Sequence, residues 1–193
     1  SHLQGLRAFQ SGAGEVRPAD LTYIESRMLK IDTHAHYLPR DWPDLAAKYG
    51  DIRFPVIHHG DDGRARIYKD GKFFREIWPK TWGPQLRIEE FAHFGVQVQV
   101  LSTVPVMFSY WAKPQHAHDL HQALNDHMAE AVRDYPRHYA GIGTIPLQSP
   151  RLAIQELERC VDQLGLQGIQ IGSHVNDWNL DAPDWTCRLR LIS

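Results

Sequence analysis

Leu29-Lys30-Ile31-Asp32-Thr33-His34-Ala35-His36 decides how this chain is read. Lys30 to Thr33 has the character of a strand entering a core, and the strand ends in His-x-His. Side chains two apart on a strand share a face, so His34 and His36 are expected side by side, with Asp32 behind them on that face. Two imidazoles so placed can share one divalent ion, zinc above all, each giving one ring nitrogen. The chain holds twelve histidines, so a motif this short also arises by chance. Its place at the end of the first apolar strand favours a site, because (β/α) barrels carry theirs at strand C-termini.

Downstream, strands and helices alternate. Asp44 to Tyr49 suits a short helix. Arg53 to Ile77 breaks into short runs separated by turn signals, with Asp70-Gly71 a two-residue hairpin signal. This reads as a small β insertion after the first strand, of the kind that builds the mouth of a site. Gln85 to Phe94 is expected as an amphipathic helix with Leu86, Phe91 and Phe94 apolar, stopped by Gly95. Val96 to Leu101 is a second strand and Met107 to Trp111 an aromatic loop. His116 to Tyr135 is a long helix, Tyr139 to Pro146 a third strand, Pro150 to Leu164 a helix, and Gly168 to His174 a fourth strand. Alternation of this kind implies parallel βαβ units. A full (β/α)₈ TIM barrel needs eight strands and about 250 residues, so this chain of 193 reads as the first four units.

Composition excludes several classes. A hydrophobic share of 42% with 23% charged residues is that of a globular chain with a core. A net charge of −2 gives no electrostatic case for nucleic acid or an anionic membrane as partner, and no apolar run approaches a membrane span. Cys160 and Cys187 are too few and too far apart for a disulfide framework, which implies a reducing compartment, the cytosol, and a buried structural role for Cys160. Residues 1–27 lack sustained periodicity and the apolar core of a secretory signal, so a disordered leader is expected there, with Met28 as a natural initiator. Gly141-Ile142-Gly143 lacks the third glycine and helix start of a dinucleotide loop.

Met28 to Pro39, Leu101 to Pro114 (Leu-Ser-Thr-Val-Pro-Val-Met-Phe-Ser-Tyr-Trp-Ala-Lys-Pro) and Gly168 to Trp178 (Gly-Ile-Gln-Ile-Gly-Ser-His-Val-Asn-Asp-Trp) carry a likeness. Over about Met28 to Asp181 the chain resembles the decarboxylating branch of the amidohydrolase-related, metal-dependent enzymes. The resemblance implies a distorted (β/α)₈ barrel, zinc as cofactor, a homodimer, and non-oxidative removal of CO₂ from a ring-opened small molecule of tryptophan catabolism. It implies His34 and His36 as two of the zinc ligands, with zinc lowering the pKa of a water. It also implies Arg75, in the inserted lobe, as a carboxylate-binding residue, which suits the planar fork of a guanidinium; Lys69 is a second, weaker candidate.

The same resemblance puts the third zinc histidine, the aspartate ligand and the catalytic histidine beyond this chain's last residue, so no catalytic residue is expected within it. His174 aligns with a fourth-strand histidine that is not a primary ligand. Residues 183–193 depart from the family and read as an alternative exon, a change of frame or a gene-model error. Three outcomes are consistent with this: a zinc decarboxylase chain inactive alone, a non-catalytic chain that pairs with the full-length enzyme, or a metal-dependent hydrolase of the same superfamily. Open edges on strands one and four predict low stability for the chain alone. Of the remaining histidines, only one of His58 and His59 can face a site. His118 and His121, at helical-neighbour spacing, are expected on a solvated face.

Overall fold

In the computed structural model, which describes residues 28–181, β1 (Ile31–His36) leads into a short helix α1 (Leu45–Tyr49). An antiparallel lobe follows, formed by β2 (Val56–His59), β3 (Ala65–Lys69) and β4 (Lys72–Ile77). Helices and strands then alternate: α2 (Pro84–Ala92), β5 (Val98–Ser102), α3 (Pro114–Asp134), β6 (Tyr139–Gly141) with β7 (Gly143–Thr144), α4 (Pro150–Glu158) and β8 (Ile169–Gln170). β5 lies parallel between β1 and β6, and β7 lies parallel to β8. β6 and β7 are one strand interrupted at Ile142. The order β1, β5, β6/β7, β8 is therefore an arc of four adjacent parallel strands, in the sense expected of right-handed βαβ units. The leader expected at residues 1–27, the tail 183–193 and Cys187 lie outside the described residues.

Local chemistry explains most boundaries. Asp44 Oδ1 accepts from Ala47 N at 2.9 Å to cap α1. Asp70 (φ 55°) and Gly71 (φ 69°) are both left-handed, as a two-residue hairpin between twisted strands demands. α3 begins at Pro114, two residues ahead of the expected start, because proline suits the first helical position and loses no bond there. The third strand narrows for a packing reason. A Cβ on Gly141 would come within 2.8 Å of Leu166, and one on Gly143 within 2.8 Å of Cys160 Sγ, so both glycines serve close approach of the helix layer.

Three apolar clusters hold the arc, one of them formed by Phe108, Tyr110, Ile145, Leu147, Ala153 and Val175. Ala35, Leu101, Met128, Tyr139, Cys160 and Leu166 fill the space between the strands and the helices outside them. Leu38, Leu45, Phe54, Ile67, Met107 and Leu120 join the inserted lobe to α3. Cys160 is buried as expected, and burial, with Glu156 close by, pushes its thiol up to about 12. α2 corrects the sequence reading. Leu86 and Phe94 are exposed while Arg87 is buried, because Arg87 Nε donates to Gln99 Oε1 at 2.9 Å and its Nη1 to the Lys80 carbonyl at 3.2 Å. A hydrogen-bonded guanidinium can lie where a simple apolar stripe would have put leucine.

α1 and α3 are latched by Asp119, which accepts from Lys48 Nζ at 2.6 Å, from the Tyr49 hydroxyl and from Gln115. Burial works to raise this carboxyl, but those hydrogen bonds, Lys48 first, outweigh it and hold it at about 2. A depressed folded value means the contribution is complete above the unfolded value of about 3.9 and disappears as pH falls through about 2. Asp119→Asn should flatten the loss of stability over that acid window, measured as urea midpoints at a series of pH values. Equal acid sensitivity in wild type and variant would refute the assignment.

Candidate metal centre and substrate cleft

β1 does not run as a regular strand past its middle. Asp32 pairs with Gln99 and Ala35 with Leu101, so Thr33 and His34 together stand opposite one residue of β5, a β-bulge. The bulge changes which residues share a face. Asp32 Oδ2 accepts from Gln99 Nε2 at 2.9 Å, Gln99 is bonded to Arg87 of α2, and Ala35 packs in the helix-side layer. Asp32 thus turns toward the helices, not behind the histidines as simple alternation predicts. Its Oδ1 accepts from His34 N at 3.1 Å and fixes the bulged backbone. Arg87, Gln99 and Asp32 form a relay that positions His34 without facing the site.

The two rings meet all the same. The His34 and His36 centroids lie 4.8 Å apart, edge to face, with His34 exposed and His36 half-buried at the C-terminal end of the strand. His36 Nδ1 lies 3.4 Å from Ser102 Oγ on the neighbouring strand end, which leaves Nε2 for a ligand. Burial, then the adjacent His34 ring, lowers the His36 pKa below its ordinary value. Two imidazoles held together at a strand terminus are a donor set that fits a divalent ion. Among the described residues, no group of three or more His, Cys, Asp or Glu is placed to hold a metal, so His174 does not join this pair.

Beyond the strand ends lies an open cleft of about 530 Å³. The β5–α3 loop supplies Phe108, Ser109, Tyr110 and Trp111, and the segment after β8 supplies Gln170, Gly172 and His174. Lys69 reaches its rim from the end of β3, with Asp70 Oδ2 at 3.6 Å from its Nζ. Trp111 also carries Arg53 over its ring at 4.2 Å. Arg75 lies on β4, exposed, with its guanidinium 5.8 Å from the Phe74 ring centre, and is not among the cleft's lining residues. The lysine judged the weaker candidate from sequence is the one in the cleft wall. His174 bonds through Nδ1 to Ser173 Oγ at 3.0 Å. His59 contacts the Arg40 carbonyl (2.9 Å) and Asp41, while His58 packs edge-on against Tyr68.

Sequence reasoning missed the cluster beneath the cleft. His118 and His121 are buried, 3% and 0% exposed, not on a solvated face. His121 Nε2 lies 2.9 Å from the Phe108 carbonyl and Nδ1 2.9 Å from Thr144 Oγ1. A carbonyl only accepts, so Nε2 carries the proton and Nδ1 accepts from the threonine. Burial holds this ring neutral, its pKa lowered to about 3. Asn125 clamps the end of β7 by accepting from Thr144 N and donating to its carbonyl, both at 2.8 Å, and also donates to Glu156 at 2.7 Å. Glu156, fully buried, lies 3.1 Å from His118 Nε2 and accepts from Arg159 at 2.8 Å. The available signal was spacing: His118, His121 and Asn125 recur at three and four residues along α3, as Glu156 and Arg159 do across the end of α4.

The amidohydrolase family model matches residues 31–190, which is 160 of the chain's 193 residues. The chain belongs to the amidohydrolase family. Among curated members, this amidohydrolase chain is 53% identical over 157 residues to 2-amino-3-carboxymuconate-6-semialdehyde decarboxylase of Dictyostelium discoideum, covering 81% of the chain and 44% of the relative. It is 35% identical over 180 residues to the enzyme of that name from Caenorhabditis elegans, covering 83% of the chain and 45% of the relative. The amidohydrolase chain therefore spans about half the length of these relatives. Among solved structures, 5-carboxyvanillate decarboxylase from Sphingomonas paucimobilis is similar over 85% of this chain and 48% of its own, with TM-score 0.62 and 26% identity. The Novosphingobium aromaticivorans enzyme, solved with manganese and a nitrobenzoic acid ligand, covers 87% and 48% with TM-score 0.63 and 20% identity, which speaks for the fold alone.

Proposed function

We propose that residues 28–182 supply the first half of a metal-dependent carboxy-lyase barrel, with residues 40–80 as its inserted lobe. Its reaction is non-oxidative decarboxylation of 2-amino-3-carboxymuconate 6-semialdehyde, in the branch of tryptophan catabolism that leads away from quinolinate and NAD. One observation carries the reading: the paired His34 and His36 rings stand at the C-terminal end of an arc whose following loops line an open aromatic cleft with a lysine at its rim, although neither histidine is itself among the cleft's lining residues. The names and identities of the curated relatives support the substrate.

In this reading His34 and His36 hold the metal, which we take to be zinc, with manganese in a structural neighbour as the competing choice. When bound, such an ion supplies positive charge that stabilises an anionic transition state. The chain's own groups bind and orient. Lys69 neutralises a substrate carboxylate at the rim; Arg75, the residue the family resemblance implies for a carboxylate, lies outside the cleft lining. Trp111 and Phe108 give the conjugated chain an apolar bed that excludes water. In the reaction the bond from carbon to CO₂ breaks, its electron pair stays on carbon, and a proton replaces the lost carboxyl.

The test is CO₂ release from freshly formed substrate with zinc in excess. This chain alone is expected to release none, because two imidazoles fall short of the three protein ligands a catalytic site uses. In a longer chain of the family that carries these residues with a full metal shell, release should disappear in His36→Ala and fall about tenfold or more in Lys69→Ala, as loss of a charged contact implies. Release from this chain alone would overturn the inactive reading, and undiminished release in both variants would withdraw the site. A second reading has its own observation: β1 and β8 each have one strand neighbour among the described residues. Open parallel edges suit pairing with a longer chain of the family, in which case this chain would alter that enzyme's activity when mixed in excess.

A further inference from the structure

The β5–α3 loop is fastened at nearly every polar group. The Phe108 carbonyl accepts from His121 Nε2 at 2.9 Å. The Ser109 carbonyl accepts from Ala112 N at 2.9 Å and Gln148 Nε2 at 3.5 Å. The Tyr110 carbonyl accepts from Asn176 Nδ2 and its hydroxyl from Gly172 N, each at 3.1 Å. Gln148 Nε2 also bonds the Ala112 carbonyl at 3.2 Å.

Among the described residues two side-chain hydroxyls of this loop are left over, Thr103 Oγ1 and Ser109 Oγ, and of the two only Ser109 belongs to a residue that lines the cleft. Ser109 Oγ is buried, in a residue 4% exposed, and has no hydrogen-bond partner among the described residues. Its backbone is left-handed, φ 47°, where glycine is the low-cost residue and serine is strained. Ser109 is thus a poor choice for the fold twice over: glycine would relax the turn, and any apolar residue would remove a buried orphan hydroxyl. Gln170, which also lines this cleft, has its Oε1 likewise buried and unpartnered among the described residues. A donor and an acceptor, both uncommitted, share one wall system with Lys69.

We propose that Ser109 and Gln170 are the specificity pair of this cleft, the Ser109 hydroxyl donating to a ligand carboxylate and Gln170 Oε1 accepting from an amino group on the adjacent carbon. The proposal rests on the substrate reading above and deepens it. Vicinal amino and carboxyl groups on double-bonded carbons are the feature that separates an aminocarboxymuconate from the hydroxylated aromatic acids of related decarboxylases. A site that hydrogen-bonds an amino group rejects the analogue lacking it far more strongly than an apolar pocket rejects a change of size.

The experiment compares 2-aminobenzoate, which carries that vicinal pair, with benzoate, by calorimetric titration of the full chain with zinc at fixed excess. Thermal unfolding of each ligand-free variant is measured alongside. Wild type should prefer 2-aminobenzoate. Ser109→Ala should weaken both ligands by about tenfold or more, the loss of a hydrogen bond to a charged group, while unfolding no earlier than wild type. Ser109→Gly should show the same weakening and unfold later, since its backbone strain is relieved. Gln170→Leu should abolish the preference between ligands. A purely structural serine gives the opposite pattern, with earlier unfolding and unchanged affinity, and that result overturns the proposal. Unchanged affinity in Ser109→Ala with normal wild-type binding overturns the pair alone; failure of wild type to bind either acid overturns the cleft reading and the pair with it.

Discussion

Glu156→Ala is expected to remove about 3–5 kcal/mol of folding stability, the cost of stranding the partners of a buried charge. Glu156 is fully buried and touches His118, Asn125 and Arg159 at once. Without it Arg159 keeps Asp126 at 2.6 Å and the Gln122 carbonyl, but His118 has no other bond among the described residues: its Nδ1 is already buried without a partner there. Asn125 would still clamp Thr144, so β7 should keep its place while α4 loosens from α3. For a domain whose total is of order 5–15 kcal/mol, the loss is a large fraction. Arg159→Ala should cost a similar amount, because it leaves the fully buried Glu156 without its cationic partner, with only His118 and Asn125 to satisfy it. Urea unfolding at neutral pH checks both. A loss under about 1 kcal/mol for Glu156→Ala, within the range of exposed ion pairs, would mean that the helix layer is held by apolar packing alone.

That network also marks where sequence reading reached its limit. Order, type and parallel pairing of the four strands followed from alternation of periods, and the Asp70-Gly71 hairpin from turn chemistry. Such features depend on local rules. The errors arose where a tertiary partner overrode a local rule. Helical-neighbour spacing alone puts His118 and His121 on a solvated face, yet Glu156 and Thr144, more than twenty residues on, make their burial favourable. Arg87 inverted the apparent face of α2 because Gln99 waits across the layer. Asp32 changed sides because a one-residue bulge shifts the strand's alternation by one. The His34 and His36 pairing survived the same bulge because both residues lie on its C-terminal side or within it, so their mutual spacing is kept. Lys69 and Arg75 illustrate a different limit: their distance from the cleft depends on how the lobe is docked, which no sequence period encodes.

Zinc bound per chain after dialysis is expected to be well below one. Two imidazoles are one or two ligands short of the sites proteins use, which supply at least three, and the described residues offer no third His, Cys, Asp or Glu in place. With zinc in excess the pair should still load, and nitrogen donors together with the usual order of metal affinities predict that zinc displaces manganese at equal concentration. His34→Ala and His36→Ala should each abolish this weak binding, and His34→Ala should do so without lowering the unfolding temperature of the metal-free chain, because its side chain is exposed. His36→Ala also gives up the contact with Ser102 at the strand end and should unfold slightly earlier. Asp32→Asn separates ligand from support. It leaves both rings in place but weakens the relay from Arg87 through Gln99 to the His34 backbone, so zinc affinity should fall by less than in either histidine variant. Equilibrium dialysis with elemental analysis reads all four. Tight, stoichiometric zinc in wild type would mean that a third ligand joins His34 and His36 on loading. His174→Ala would then decide whether the cleft wall provides it, and retention of tight zinc in that variant would point to a second chain.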